Sequence, residues 1–258
     1  MAIATVYGVV STQVEGNACA RASPICPAST AAARGSSWKR PWQRVFKSDD
    51  DRANYLDCLM HAARRYECAL HAYVLMDNHV HILATPSAAG ALSRLMQWTA
   101  SRYTIAFNDQ HVRSGTLWEG RFFSSAITSE RYFMVCQLYI ELNPVRAGLV
   151  GSPAEFGWSS YAHNALGIRN PLITEHELYR RLSANPEARR SAYRALFDPA
   201  TPEVDLAAIR AALNGRHWLG DPPADLAGTK RGRPSKVSPD NSSSKDQDEI
   251  PLWADFPQ

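Results

Sequence analysis

Cys68–Ala84 reads CALHAYVLMDNHVHILA, two short apolar runs on either side of Met76-Asp77-Asn78. Each run has the length and the β-branched and aromatic content of a strand, and the three residues between them suit a turn, so the stretch predicts a β-hairpin. Helical patterns flank it. Upstream, Asp49-Asp50-Asp51 suits a helix start, followed by Tyr55, Leu56, Leu59, Met60 and Ala63 at helical spacing. Downstream, Leu92, Leu95, Met96, Thr99, Tyr103 and Phe107 form a second stripe. Gly115–Thr128 reads as a turn and strand, and Ser129 opens a third helix that stops before Pro144. Helix, hairpin, helix, strand, helix predicts an α+β domain, an antiparallel sheet with helices on one face. The sheet needs one more strand from upstream. Residues 28–36 are the expected source, although Ala-rich sequence is weak strand material. That weakness predicts a poorly satisfied sheet edge.

The chain has 258 residues (28.6 kDa), 45% hydrophobic and 21% charged, the composition of a protein that buries a core. No apolar run reaches the roughly 20 residues that cross a bilayer, and Met1–Val10 lacks a basic leader, so neither a membrane span nor a signal peptide is expected. The five cysteines are scattered without C-x-x-C pairing, which argues against a disulfide framework or zinc knuckle and fits a reducing, cytoplasmic setting. A net charge of +3 is compatible with nucleic-acid binding without arguing for it. Composition divides the chain into an atypical, poorly ordered segment at 1–44, a main domain at 45–165, a helical extension at 166–218 (helices expected near 174–198 and 202–214), and a disordered tail at 219–258.

His79 and His81 are two residues apart on the second strand, so the pleat turns both imidazoles to one face, where they could share a divalent cation. Tyr139 and Asn143 lie one turn apart on the third helix. Taken singly, the structural readings are the commoner ones. The histidines would be two half-exposed strand residues, Tyr139 a core aromatic, and Asn143 a helix cap before Pro144. A histidine-triad nucleotide hydrolase needs a third histidine at the next alternate position, which is Leu83 here.

In combination, Leu75–Leu83 (LMDNHVHIL), Ser114–Phe122 (SGTLWEGRF), Tyr139–Gly148 (YIELNPVRAG) and Trp158–Tyr161 (WSSY) resemble the REP-associated tyrosine transposases. These belong to the IS200-like group of HUH single-strand DNA transposases. The resemblance is close over about 45–165 and looser beyond. It implies a ferredoxin-like or RRM-like HUH domain that nicks and rejoins single-stranded, hairpin-forming repeat DNA. Tyr139 matches the nucleophile, His79 and His81 the HUH metal ligands, and Asn143 falls where the family has its third, helix-borne metal ligand or metal-proximal polar residue. The implied cofactor is Mg²⁺ or Mn²⁺, the implied state a monomer or homodimer, and the implied location the bacterial cytoplasm at the nucleoid. The alternative is a catalytically inactive, hairpin-binding relative.

Cations interleaved with aromatics suit single-stranded DNA, the cations on phosphates and the aromatics on bases. Arg113, Trp118, Arg121 and Arg146, in or beside the matched motifs, are the expected hairpin contacts, whereas Trp98 and Tyr103 read as core. In the tail, Lys230-Arg231-Gly232-Arg233-Pro234-Ser235-Lys236 resembles an AT-hook, an extended Arg-Gly-Arg-Pro core lying in the narrow minor groove of A·T-rich duplex. Lys230, Arg231, Arg233 and Lys236 are its expected contacts.

Overall fold

The computed structural model describes residues 7–13, 44–118 and 122–197. Its elements are β1 (Tyr7–Gln13), α1 (Asp49–Arg65), β2 (Cys68–Met76), β3 (His79–Pro86), α2 (Ala91–Gln110), β4 (Phe123–Ile127), α3 (Glu130–Glu141), α4 (Asn143–Arg146), α5 (Tyr161–Asn164), α6 (Glu177–Arg180) and α7 (Pro186–Ala195). The first six make a βαββαβ unit with sheet order β2-β3-β1-β4, every neighbouring pair antiparallel. This is ferredoxin-like connectivity.

The strand that the hairpin requires does come from upstream, but from Tyr7–Gln13 and not from 28–36, which fall outside the described residues. β1 is interior, with Ser11 opposite His81 and Gln13 opposite His79 on one side and Tyr7–Ser11 paired with β4 on the other. The expected unsatisfied edge beside β3 is therefore filled.

Alternation along the strands divides the core into two layers. Tyr73, Leu75, Val80, Ile82 and Ala84 pack with Tyr55, Leu59, Leu95, Tyr103 and Phe107 of α1 and α2. Ala72, Val74, Met76 and Leu83 pack with Phe133, Cys136 and Ile140 of α3. The α+β class and antiparallel sheet are as expected, but the placement of all helices on one face needs correcting. The two crossover helices share one face, and α3, which follows the last strand, covers the other.

The start of α1 also differs in detail. Ser48 is the N-cap and Asp51 its capping-box partner, a reciprocal bond that satisfies orphan amides. The Asp51 carboxylate, fully buried, accepts from the amides of Lys47 and Ser48 and pairs with His111 Nε2 at 2.8 Å. These bonds hold its pKa below the usual carboxylate value in spite of burial, which acts in the opposite sense. At the hairpin turn, Asp77 receives Arg52 from α1 and Arg44, and its carbonyl accepts the amides of Val45 and Phe46.

The outer edge of β2 is covered by the chain that follows α4. Leu75 N–H donates to the Trp158 carbonyl, Ser160 N–H to that of Tyr73, and Thr174 N–H to that of Leu70. Pairing of this kind protects an exposed sheet edge. A bulge at His71 turns its ring so that Nδ1–H donates to the Thr174 carbonyl (2.7 Å) while Nε2 accepts from the Thr85 hydroxyl (2.8 Å).

Burial pushes the His71 pKa from 6.5 down to about 4, partly opposed by the Thr174 bond. The unfolded chain therefore takes up a proton that the folded chain refuses. The stabilising contribution is complete above pH 6.5 and is lost as pH falls towards about 4. It amounts to about 3 kcal/mol at most. We expect Tm to fall through this window and to fall less steeply in His71→Gln. Equal slopes would contradict the assignment.

No helix among the described residues is long and apolar enough to cross a membrane.

Candidate active site

His79 and His81 lie on the α3 face of β3, with ring centroids 4.9 Å apart and planes at 79°. Tyr139, near the C-terminal end of α3, brings its ring to 6.0 Å from that of His81. The β3 pleat and the α3 register thus bring together three residues that are separate in sequence. Leu142 ends α3 in helical conformation, and Asn143–Arg146 continue as the short helix α4. That continuation puts the Asn143 side chain in hydrogen-bonding contact with His79 and the Arg146 guanidinium over the Tyr139 ring, 4.8 Å from its centroid. Asn143 opens α4 and so is more than a terminal cap before proline.

The two imidazoles are held neutral. Burial lowers the His79 pKa to about 4 in spite of the Asn143 bond. His81, 3% exposed, is pushed well below the ordinary histidine value by burial and then by the neighbouring His79. Neutral imidazole is the form that ligates metal. His79 Nδ1 lies 2.7 Å from Asn78 Oδ1, and this bond fixes the tautomer and leaves Nε2 as the lone-pair nitrogen. The Nδ1 of His81 is buried without a partner.

An orphaned imidazole nitrogen beside a second, oriented imidazole and an amide is a donor set that fits a divalent cation of borderline softness. Among the described residues no three His, Cys, Asp or Glu side chains are grouped so that they could hold a metal ion, and no carboxylate joins the two imidazoles. The donors are consequently uncharged, and phosphate oxygens or water would complete a coordination shell here.

Glu141, to which no sequence pattern assigns a role, faces away from Tyr139 on α3 and is fully buried. Its Oε1 accepts from Ser160 Oγ (2.6 Å) and Asn164 Nδ2 (2.8 Å), and its Oε2 from Tyr193 Oη (2.9 Å). Burial pushes its carboxyl up to about 7, with these three bonds opposing. Leu138 on the same side packs with Tyr161, Ala165, Tyr179 and Tyr193. The chain from Ser160 to Tyr193 therefore clasps the outside of α3.

The other expected contacts are spread more widely. Arg146 joins the His–Tyr group. Trp118 does not. Its ring lies 6.0 Å from those of Tyr55 and Tyr103 and packs on the α1–α2 side of the sheet, away from Tyr139. Arg113 is on that side too, over the Phe107 ring and bonded to the Thr116 carbonyl. Trp98 packs partly into the same core under Arg102, as its helical position suggested, and Tyr103 is fully buried. Arg121, Lys230, Arg231, Arg233 and Lys236 lie outside the described residues.

Fold and site together define a βαββαβ domain whose His-x-His strand faces a tyrosine on an added helix. Residues 40–143 match the family model described as Transposase IS200 like. β1 lies upstream of the match. No curated protein matches the chain. Among solved structures, one described as "Structure of the REP associates tyrosine transposase bound to a REP hairpin" is similar at 14% identity, covering 68% of this chain and 87% of that one, with a TM-score of 0.47.

Proposed function

We propose that the protein nicks and rejoins single-stranded, hairpin-forming DNA through Tyr139. The observation that carries this reading is the convergence of His79, His81, Tyr139 and Asn143 on one face of the sheet, within a segment that matches the IS200-like transposases. In the forward step the Tyr139 phenol oxygen attacks the scissile phosphorus and its proton passes to solvent. The bond to the 3′ oxygen breaks, and that oxygen takes up a proton. The products are a 5′-phosphotyrosine and a free 3′-OH. One phosphodiester replaces another, so attack by a 3′-OH reverses the step without an energy source.

Neutral His79 and His81, with the Asn143 amide, would hold a Mg²⁺ or Mn²⁺ ion, the imidazoles favouring Mn²⁺. Such an ion supplies charge neutralisation at the scissile phosphate. The chain's own residues orient the nucleophile. The Tyr139 ring is held between the His81 edge and the Arg146 guanidinium, which also places a fixed positive charge beside the phosphate to be attacked.

A denaturing gel tests this directly. Labelled hairpin DNA from repeats beside the gene, incubated with Mn²⁺ or Mg²⁺, should give a protein-linked band. Hairpin binding without cleavage under either cation would favour an inactive, hairpin-binding relative instead.

Arg113 and Arg121 remain the proposed wider DNA contacts, and the Lys230–Lys236 run a separate contact to A·T-rich duplex. We expect deletion of 228–258 to weaken duplex binding and flatten its salt dependence, with nicking of short single strands retained. Unchanged duplex affinity and salt slope would remove the tail from the binding surface.

A further inference from the structure

We infer that Glu141 is a positioning residue, the point through which the C-terminal helices set Tyr139 and Asn143 against the two histidines. This inference rests on the nickase reading for its catalytic consequence and on the described contacts for its geometry.

Glu141 lies two residues after Tyr139 and two before Asn143, on the opposite side of α3 from the imidazoles. Its carboxylate is fully buried and takes donors from two stretches of chain: Ser160 and Asn164, at the start and end of α5, and Tyr193 in α7. Two of these donors are themselves tied to the sheet. Ser160 Oγ accepts from the Tyr73 amide, and Asn164 Nδ2 also reaches the His71 carbonyl. The carboxylate is thus linked through Ser160 and Asn164 to β2, the neighbour of the histidine strand, and bonded directly to Tyr193 of α7.

The apolar contacts of α3 leave its rotation less well defined than this. Phe133, Cys136 and Ile140 meet the sheet through apolar contacts, which are not directional as hydrogen bonds are. A rotation of about 10° carries a tyrosine hydroxyl roughly 1 Å or more, since it stands far from the helix axis. A displacement of that size in a reacting atom can cost about 100-fold in rate. Directional bonds to a buried carboxylate resist such a turn, because any rotation strains three hydrogen bonds at once. The helical extension is then a required part of the active domain.

The test uses the full chain and three variants. Tyr193→Phe removes one donor and keeps the ring that packs in the C-terminal cluster. Glu141→Gln keeps the shape and an acceptor oxygen. Phe107→Leu, on the α1–α2 face, is the control, with measurements made at temperatures where its Tm deficit matches that of Tyr193→Phe. We expect faster amide exchange at 139–143 in Tyr193→Phe and about 10-fold slower adduct formation at saturating hairpin and cation, with hairpin Kd unchanged. Glu141→Gln should stay within about 3-fold of wild type, and Phe107→Leu should keep the full rate and normal exchange at 139–143.

Unchanged exchange at 139–143 in Tyr193→Phe would overturn the inference whatever the activity. So would faster exchange without loss of rate, or an equal loss of rate in Phe107→Leu. No adduct from the wild type under either cation would overturn the nickase reading alone, and exchange at 139–143 would then decide the role of Glu141.

Discussion

Tyr139→Phe should abolish covalent attachment to DNA while leaving hairpin binding close to normal. The variant keeps the ring, and with it the 6.0 Å contact to His81, the Arg146 guanidinium above it and the packing against the α3 layer. Only the hydroxyl is lost. Loss of one hydroxyl at a half-buried position costs roughly 1 kcal/mol of stability, too little to unfold a domain of this size. The chemical step has no substitute for that oxygen, so we expect a fall of at least about 1,000-fold, to the background of the assay. An adduct formed by Tyr139→Phe at more than a tenth of the wild-type rate would move the nucleophile elsewhere.

The double variant His79→Ala, His81→Ala carries the second large effect. We expect metal-dependent cleavage to fall by at least about 1,000-fold, with no recovery in excess Mn²⁺, since both imidazole donors are gone and no third histidine, cysteine or carboxylate cluster among the described residues can replace them. Direct Mn²⁺ titration by electron paramagnetic resonance separates this from a folding defect. The wild type should bind one ion and the double variant none, while far-ultraviolet circular dichroism stays the same. His81 is the more demanding half of the pair. It is 3% exposed, so truncation leaves a cavity beside Tyr139 and is expected to cost about 1–3 kcal/mol. Bound Mn²⁺ in the double variant would remove these histidines from the metal site.

Much of this architecture is legible in local pattern. The α1 and α2 stripes fall where spacing puts them, because amphipathic helices are recorded in windows of a dozen residues. The hairpin and the shared face of His79 and His81 follow from period-two alternation on either side of a short turn. β1 was less accessible. Tyr7–Gln13 is seven residues long, its partners are His79–Ala84 and Phe123–Ile127, and pairing of that range leaves no local trace. The β-branched content of Val9-Val10-Ser11-Thr12 was the available signal.

The inner side of α3 was hidden for a related reason. A glutamate between Tyr139 and Asn143 looks solvated until Ser160, Asn164 and Tyr193 are brought to it by the fold. Trp118 shows the converse. Its place inside a DNA-transposase-like motif pointed to bases, whereas its ring packs with Tyr55 and Tyr103 in the α1–α2 layer. A motif reports that a residue matters without separating contact from support.

The central claim is that Tyr139 is the residue that becomes joined to DNA. Mapping the protein–DNA adduct by mass spectrometry tests it most directly. Wild-type protein is incubated with hairpin DNA and Mn²⁺, the DNA is trimmed with nuclease, and the protein is digested with trypsin. Cleavage after Arg131 and Arg146 releases a peptide, residues 132–146, that holds both Tyr132 and Tyr139. The account predicts a 5′-phosphodeoxynucleotide on Tyr139, located by fragmentation within that peptide. The same mass on Tyr132, or an adduct in any other peptide, would contradict it.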